Sequence, residues 1–474
     1  MRCTCCTLIK LYLKFDNARR SLSLHCKEEI KMKNTTILEL IIIIILAVIL
    51  GISAYFTIRV INPEDETTIG DIMQEMQGNA SSSVETTGAT SVTDTQTLNG
   101  TYNTETADES AIKVSDGGNA TIENSTITKS GDSTNTENSE FYGVNAGVLT
   151  TSNSTTTIRN SNITTSAKGA NAVFATGTDA KVYVSNTTIK TTGDRSARGL
   201  DATYGGYIEA DNVTISTVGG SCATLATDRG EGTVIAKNSK LSTKGAGSPI
   251  IYSTGDITVE NTTGTATGSQ MCVIEGKNTA TVTNSTLSCN GTGNRNNVDQ
   301  AGVMIYQSMS GDAGEGTGTF NATGSTLEIL SNSSEYKTAP FFFITNTKAV
   351  INLENNTLKY GSGVLLKVAA TSEWGNSGSN GGVVTLNAKK QTLVGNIEVD
   401  SISTAEINLK ESSSLKGTIN NSNTAKEIKL TLDSSSTLTL TGDTYVTTLT
   451  DEDTSYSNIN FNGYKLYVNG TAIN

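Results

Sequence analysis

Beyond residue 101 the chain alternates apolar and polar positions in short stretches, many closed by Gly, and this two-residue period predicts strands. A longer repeat runs over it. The pattern apolar-x-Asn-x-x-apolar spans Ile122–Ile127, Ile158–Ile163, Val184–Ile189, Ala210–Ile215 and Ala236–Leu241. Its Asn residues at 160, 186, 212 and 238 are 26 residues apart, and steps of 23 lead on to Asn261 and Asn284. Looser copies follow at Leu353/Asn355/Leu358, Leu409/Ser412/Leu415 and Leu432/Ser435/Leu438. The two apolar positions of each copy are five apart, an odd separation, so one straight strand cannot point both inward. A corner must lie between them, and Asn tolerates the left-handed backbone such a corner needs. Another strand per unit is marked by Ala172–Thr176, Gly199–Thr203, Ala223–Thr227 and Ile250–Thr254.

Units of this length, with three strands, three corners and no room for a crossover helix, predict an all-β, right-handed parallel β-helix of about eleven coils stacked about 4.8 Å apart. Like residues then lie above like, so Asn160, Asn186, Asn212 and Asn238 are expected to form an internal hydrogen-bonded ladder. Longer gaps place insertions at Ser133–Tyr142 and Asn294–Gly316, and solenoid insertions tend to gather on one face.

Composition agrees with strands. Thr, Ser, Asn and Gly dominate, only 17% of residues are charged and 5% aromatic, a balance far from that of a helix-rich enzyme. A net charge of −12 makes nucleic acid an unsuitable partner.

The first hundred residues have a different character. Leu40 to Ile58 carries no charge and is long enough to cross a bilayer as a helix, which predicts a transmembrane helix or signal segment. Eight Lys and Arg precede it against four acids, whereas Glu64, Asp65, Glu66 and Asp71 follow, so residues 1–39 are expected in the cytoplasm and everything after Val60 outside. Ile52-Ser53-Ala54 offers a cleavage site, leaving two outcomes open: a cell-surface protein anchored by its N-terminal helix, or a secreted one. Cys3, Cys5, Cys6, Cys26 and His25 lack zinc spacing, and residues 1–31 also read as untranslated sequence ahead of a start at Met32. Residues 59–100 form an acidic Ser/Thr-rich stalk, and 101–474 the β-helix ectodomain.

Arg198–Gly206, Ala226–Gly232, Tyr252–Asp256, Val273–Asn278 and Gly302–Asp312 resemble segments of adhesin-like surface proteins of the right-handed parallel β-helix, or pectate-lyase-like, superfamily. The resemblance covers roughly residues 100 to 474 and implies a surface-exposed, non-catalytic rod used in attachment or in the cell envelope, with surface glycans or proteins of a host or neighbouring cell as partners.

Acidic residues interrupt the small and apolar run at Asp201, Asp228, Glu231, Glu275 and Asp299, with Arg229 among them. Two carboxylates about 5–10 Å apart would suit glycoside hydrolysis, and a basic residue beside carboxylate-bound calcium would suit a polysaccharide lyase, so a secreted carbohydrate-active enzyme is the alternative. No enzyme motif of the superfamily matches residue by residue. Asp201, Asp228, Arg229, Glu275 and Trp374 are therefore expected to be a ligand-contact surface, the carboxylates mostly solvated, with no catalytic residue, metal or cofactor. Trp374 lies in a Gly/Ser loop, where an exposed ring would stack on sugar and a packed one would brace the rod. Cys222 and Cys272 are an intervening coil apart, too far for a disulfide.

Overall fold

The computed structural model of the protein describes residues 84–293 and 298–474. The apolar segment 40–58 and the cytoplasmic assignment of 1–39 lie outside the described residues. Among those described, no helix is long and apolar enough to cross a membrane.

Three long parallel sheets wind around one apolar core. Sheet I has twelve strands, from Thr87–Val92 to Asn396–Val399, and sheet II has fourteen, from Thr95–Leu98 to Thr448–Asp451. Sheet III has ten, from Thr101–Thr104 to Thr357–Lys359, and is succeeded by a four-stranded sheet that begins at Thr392–Val394. Each strand pairs with its equivalent one coil later, as Lys181 does with Thr155 and Tyr207 in sheet II. The fold is a parallel β-helix.

Its coils number fourteen by sheet II, not about eleven. The first lies in Thr87–Thr104, so strands begin within the last part of residues 59–100, which the sequence assigned to the stalk. Late coils are also short: Val383 pairs Thr404 and Lys429 pairs Thr448, steps of 21 and 19 residues. Those coils have lost the corner Asn of the earlier ones.

The corner itself is as the odd spacing requires. Ile158 and Ile163, Val184 and Ile189, and Ala210 and Ile215 are all buried, and Asn160, Asn186 and Asn212 between them have φ of 51°, 48° and 54°. Each fully buried Ile or Val contributes about 1.5–3 kcal/mol of transfer free energy, which fixes which side of the corner faces in. The expected internal Asn ladder is not found. Asn160, Asn186, Asn212 and Asn238 are exposed; Asn212 Nδ2 donates to Asn186 Oδ1 at 2.7 Å, but Asn238 donates to Asp211 instead. A residue in left-handed conformation turns its side chain outward, and the residue after it turns inward. The internal ladder therefore stands one position later. The Ser125 N–H donates to Ser161 Oγ (3.1 Å), the Val213 N–H to Ser239 Oγ (3.1 Å), the Ser239 N–H to Thr262 Oγ1 (3.1 Å) and the Thr262 N–H to Ser285 Oγ (3.1 Å). These buried hydroxyls satisfy corner amides that no strand partner reaches.

The rod ends differently from how it runs. Leu466–Val468 pairs parallel with Thr444–Val446 on one side, but on the other with Thr471–Ala472 in antiparallel register, Tyr467 opposite Ala472. Cys222, Cys272 and Cys289 are buried free thiols.

Candidate functional site

The outward side chains of sheet I alternate with core residues. Leu200, Ala202, Leu225, Ile251, Cys272, Ile274, Val303 and Ile305 point into the core, leaving Asp201, Ala226, Tyr252, Val273 and Met304 in one outward row. A second row, two residues further along each strand, holds Glu275 and Tyr306, which pair in register.

Three excursions of the chain cover this face. The first contains a short helix, α1 (Thr136–Tyr142), whose N-cap Asn135 accepts from the Glu137 and Asn138 amides and whose end is closed by Gly143 at φ 68°. It falls inside the predicted Ser133–Tyr142 insertion. Asn171 Nδ2 donates to Ser139 O (3.0 Å) and Thr203 Oγ1 to Phe141 O (2.8 Å), which pins α1 to the sheet. The second is the loop after Tyr306, in the described part of the predicted Asn294–Gly316 insertion. The third is the 369–381 loop bearing Trp374, tied by Asn380 Nδ2 to Thr371 O and Trp374 O at 2.7 Å each. In their described parts the two predicted insertions reach the same face, but the second is interrupted by the sheet I strand Val303–Tyr306, and the 369–381 loop was not foreseen.

Arg198 is the centre of the arrangement. Its Nη1 donates to Asp201 Oδ2 (2.8 Å) and Asp228 Oδ2 (2.7 Å), and its Nη2 to Glu140 Oε1 of α1 (2.8 Å). Asp201 and Asp228 are thus buried and paired, not solvated as the sequence suggested. Burial pushes the Asp201 carboxyl up to about 6 against the pull of Arg198, and raises Asp228 well above the usual carboxylate range for the same reason. Burial opposes the Arg198 charge, but Asp201, Asp228 and Glu140 outweigh it and hold the guanidinium protonated. One guanidinium cannot neutralise three ionised carboxylates, so the low-dielectric interior makes the Asp pair hold a proton more firmly than free carboxyls do.

Beside this cluster the hydroxyls of Tyr252 and Tyr306 both donate to Glu275 Oε2, at 2.9 and 2.8 Å. Burial, then the neighbouring Glu275, drives the Tyr252 phenol well above its ordinary pKa, so it stays a donor. Trp374 packs edge-on against Tyr306 at a centroid distance of 5.0 Å and rests on Val273, Met304 and Phe343. It is 6% exposed: a packed ring, not a free platform.

Glu140, Arg198, Tyr252, Asp299, Tyr306 and Trp374 contribute to the lining of an open cleft of about 270 Å³. Of the five residues expected to form a contact surface, Trp374 lines it. Asp201 and Asp228 lie behind Arg198, and Glu275 is bound by the hydroxyls of Tyr252 and Tyr306. Arg229 is engaged elsewhere: its Nε and Nη2 donate to Asp312 Oδ1 (3.1 and 2.6 Å) and its guanidinium sits 3.8 Å over the Phe141 ring. It latches α1 to the loop after Tyr306.

Arg198, Tyr252 and Tyr306 stood in the segments that carried the family resemblance without being read as site residues. Glu140 was missed altogether, since nothing local signals a partner 58 positions away. Among the described residues no group of three His, Cys, Asp or Glu side chains is arranged to hold a metal ion. Comparison with protein-family models, curated proteins and solved structures returns no match.

Proposed function

We propose that this is an adhesin-like protein of the cell surface, a β-helical rod of pectate-lyase-like type, whose sheet I cleft binds a glycan without cleaving it. The observation that carries this reading is the convergence of Tyr252, Tyr306 and Trp374 with hydrogen-bonding side chains in one cleft. The partly exposed Tyr252 and Tyr306 rings offer the apolar faces that sugar C–H groups cover, with Trp374 bracing Tyr306 from behind, and the polar groups between them fix the hydroxyls. The cleft is smaller than the about 300–1,000 Å³ of a drug-sized site, and suits one sugar ring of a longer chain. Binding is favoured over turnover because the acids with raised pKa, Asp201 and Asp228, are fastened to Arg198 and lie outside the cleft lining. General acid catalysis needs such a group within hydrogen-bond reach of the scissile oxygen.

Glu140 and Asp299 do both line the cleft, and this favours glycoside hydrolysis as the second reading. The test is retention and product analysis of the full chain on a glycan panel. Saturable retention that Tyr306→Ala abolishes, with no new reducing ends, supports attachment. Chain shortening that Glu140→Gln or Asp299→Asn stops supports the hydrolase, and absence of retention on every glycan overturns both.

A further inference from the structure

The corner between sheets II and III carries a repeated motif that the cleft does not use. Nine successive corners, from Asn124 to Asn355, hold Asn at every coil but one, where Gly324 stands. Six of these Asn have Thr two residues on, the Asn-x-Ser/Thr acceptor pattern of N-glycosylation: Asn124, Asn186, Asn212, Asn261, Asn284 and Asn355. A turn that favours Asn and a strand that favours Thr would produce this pattern for structural reasons alone. What the structure adds is orientation. With φ of 48–54°, all six Asn are exposed, and so are five of the Thr two residues on, from Thr126 to Thr286, with Thr357 completing the row. An Asn pointing into the core, as an internal ladder would require, could not carry a sugar in a closed coil. The side-chain nitrogens are also available. Those of Asn124, Asn186, Asn261, Asn284 and Asn355 donate to no group among the described residues, and Asn212 Nδ2 uses one of its two N–H groups, to Asn186 Oδ1 at 2.7 Å.

Other copies of the motif are closed. Asn420, in Asn420-Asn421-Ser422, is 4% exposed, and its Oδ1 accepts from the Thr424 and Ala425 amides. Asn321, in Asn321-Ala322-Thr323, belongs to the sheet II ladder: its Nδ2 donates to Thr281 Oγ1 (3.2 Å) and its Oδ1 accepts from Asn352 Nδ2 (2.8 Å). The place of the open row also fits the cleft. In each of these coils the chain passes from sheet I to II to III, so this corner is the one that does not border sheet I. Glycans on it would cover an edge about 38 Å long, eight steps of about 4.8 Å, and leave the cleft uncovered.

We infer that this corner is a row of N-glycosylation sites, modified during export with a lipid-phosphate-linked oligosaccharide as the donor. The Asn Nδ2 forms a bond to the anomeric carbon of the oligosaccharide while the bond from that carbon to the phosphate oxygen breaks; the amide gives up one proton and the lipid phosphate leaves. A membrane transferase reads the Asn together with the hydroxyl two residues on while the segment is still extended, and the folded corner then has room for the product. The inference rests on the cell-surface location proposed above and is independent of what the cleft binds.

The test is glycopeptide mapping by mass spectrometry of the full chain, after fractionation of the cells that make it. A glycan on most of the six corner Asn is expected, with Asn160, Asn238, Asn321 and Asn420 bare. Asn160 and Asn238 share the corner, the exposure and the left-handed φ but have Asn162 and Lys240 two residues on, so they separate the motif from an exposed Asn. Thr214→Val should remove the glycan from Asn212 alone, and Lys240→Thr, at an exposed position, should add one at Asn238. A surface-located chain with most of the six Asn bare would overturn the modification and leave the surface reading standing. Glycans on Asn321 or Asn420, or on Asn238 without Lys240→Thr, would overturn the assignment of the sites to the open corner. Recovery of the chain unmodified in the cytosol would overturn both readings.

Discussion

The outward faces of sheets I and II are built from the same coils, yet they treat charge in opposite ways. On sheet II, Arg159 meets Glu123 at 2.6 Å and Lys237 meets Glu209 at 2.8 Å, all with solvent access, and Asn side chains bond from coil to coil, Asn352 to Asn321 and Asn387 to Asn352 at 2.8 Å. Such pairs follow from stacking like positions and contribute little each. On sheet I, three excursions of the chain roof the face over, and Arg198 with Asp201 and Asp228 is taken out of water, only Glu140 keeping some solvent access. The strands are alike; what differs is what covers them. A solenoid thus acquires a site by insertion without disturbing its core.

Breaking the buried cluster should give the largest effect. Arg198→Met leaves Asp201, Asp228 and Glu140 without their cation, and a loss of about 3–5 kcal/mol is expected by chemical denaturation. Lys237→Ala on sheet II is the control, and a loss there comparable to that of Arg198→Met would erase the contrast between the faces.

The same contrast appears in pH. Asp201 has a folded pKa of about 6, above its ordinary 3.8, so the folded state holds this proton more firmly than the unfolded one. The stability it contributes is complete below pH 3.8 and is lost as pH rises through about 6. The melting temperature should therefore fall between about pH 4 and 6, and Asp201→Asn should reduce that slope, the raised Asp228 retaining part of it. An unchanged slope would mean that Asp201 is not held protonated.

Backbone packing supplies a third comparison, independent of charge. Gly193, Gly219 and Gly245 stack 26 residues apart, and a Cβ on Gly219 would lie 1.9 Å from Gly193 O. Gly219→Ala should cost about 1–3 kcal/mol as overpacking, measured by thermal unfolding. Ser239→Ala, which leaves the buried Val213 amide without its acceptor, should cost about 1–3 kcal/mol, toward the lower end if water reaches the corner. Ser242→Ala, on a partly exposed strand position, should be nearly silent by the same measurement.

How much of this was legible beforehand follows from where each signal resides. The corner was readable because Ile158 and Ile163 are five apart around an Asn, a constraint local to six residues. The inward hydroxyl was equally local: Ser161, Thr187, Ser239, Thr262 and Ser285 each follow the Asn directly, but the Asn drew attention because its repeat is stricter. The coil count came up short at the first coil, at the Lys390 corner after Val383–Lys389 and at the last strand of sheet II, Thr448–Asp451, while the copies with Ser412 and Ser435 at the corner were readable. The site was half legible. Asp201 and Asp228 stood out as acids in an apolar strand pattern, but Arg198 and Glu140 are 58 residues apart and meet only once α1 has folded over the sheet. Long-range charge pairing leaves no period to detect.

The reversed final strand has a consequence for the molecule in company. A parallel β-helix that simply stopped would expose a complete row of amides and carbonyls in the register its own first coil could extend, and identical rods could polymerise end to end. Here Thr471–Ala472 runs against Tyr467–Val468 and occupies part of that row with the wrong polarity. That short strand covers part of the edge of Leu466–Val468 and disfavours the parallel pairing of another strand there.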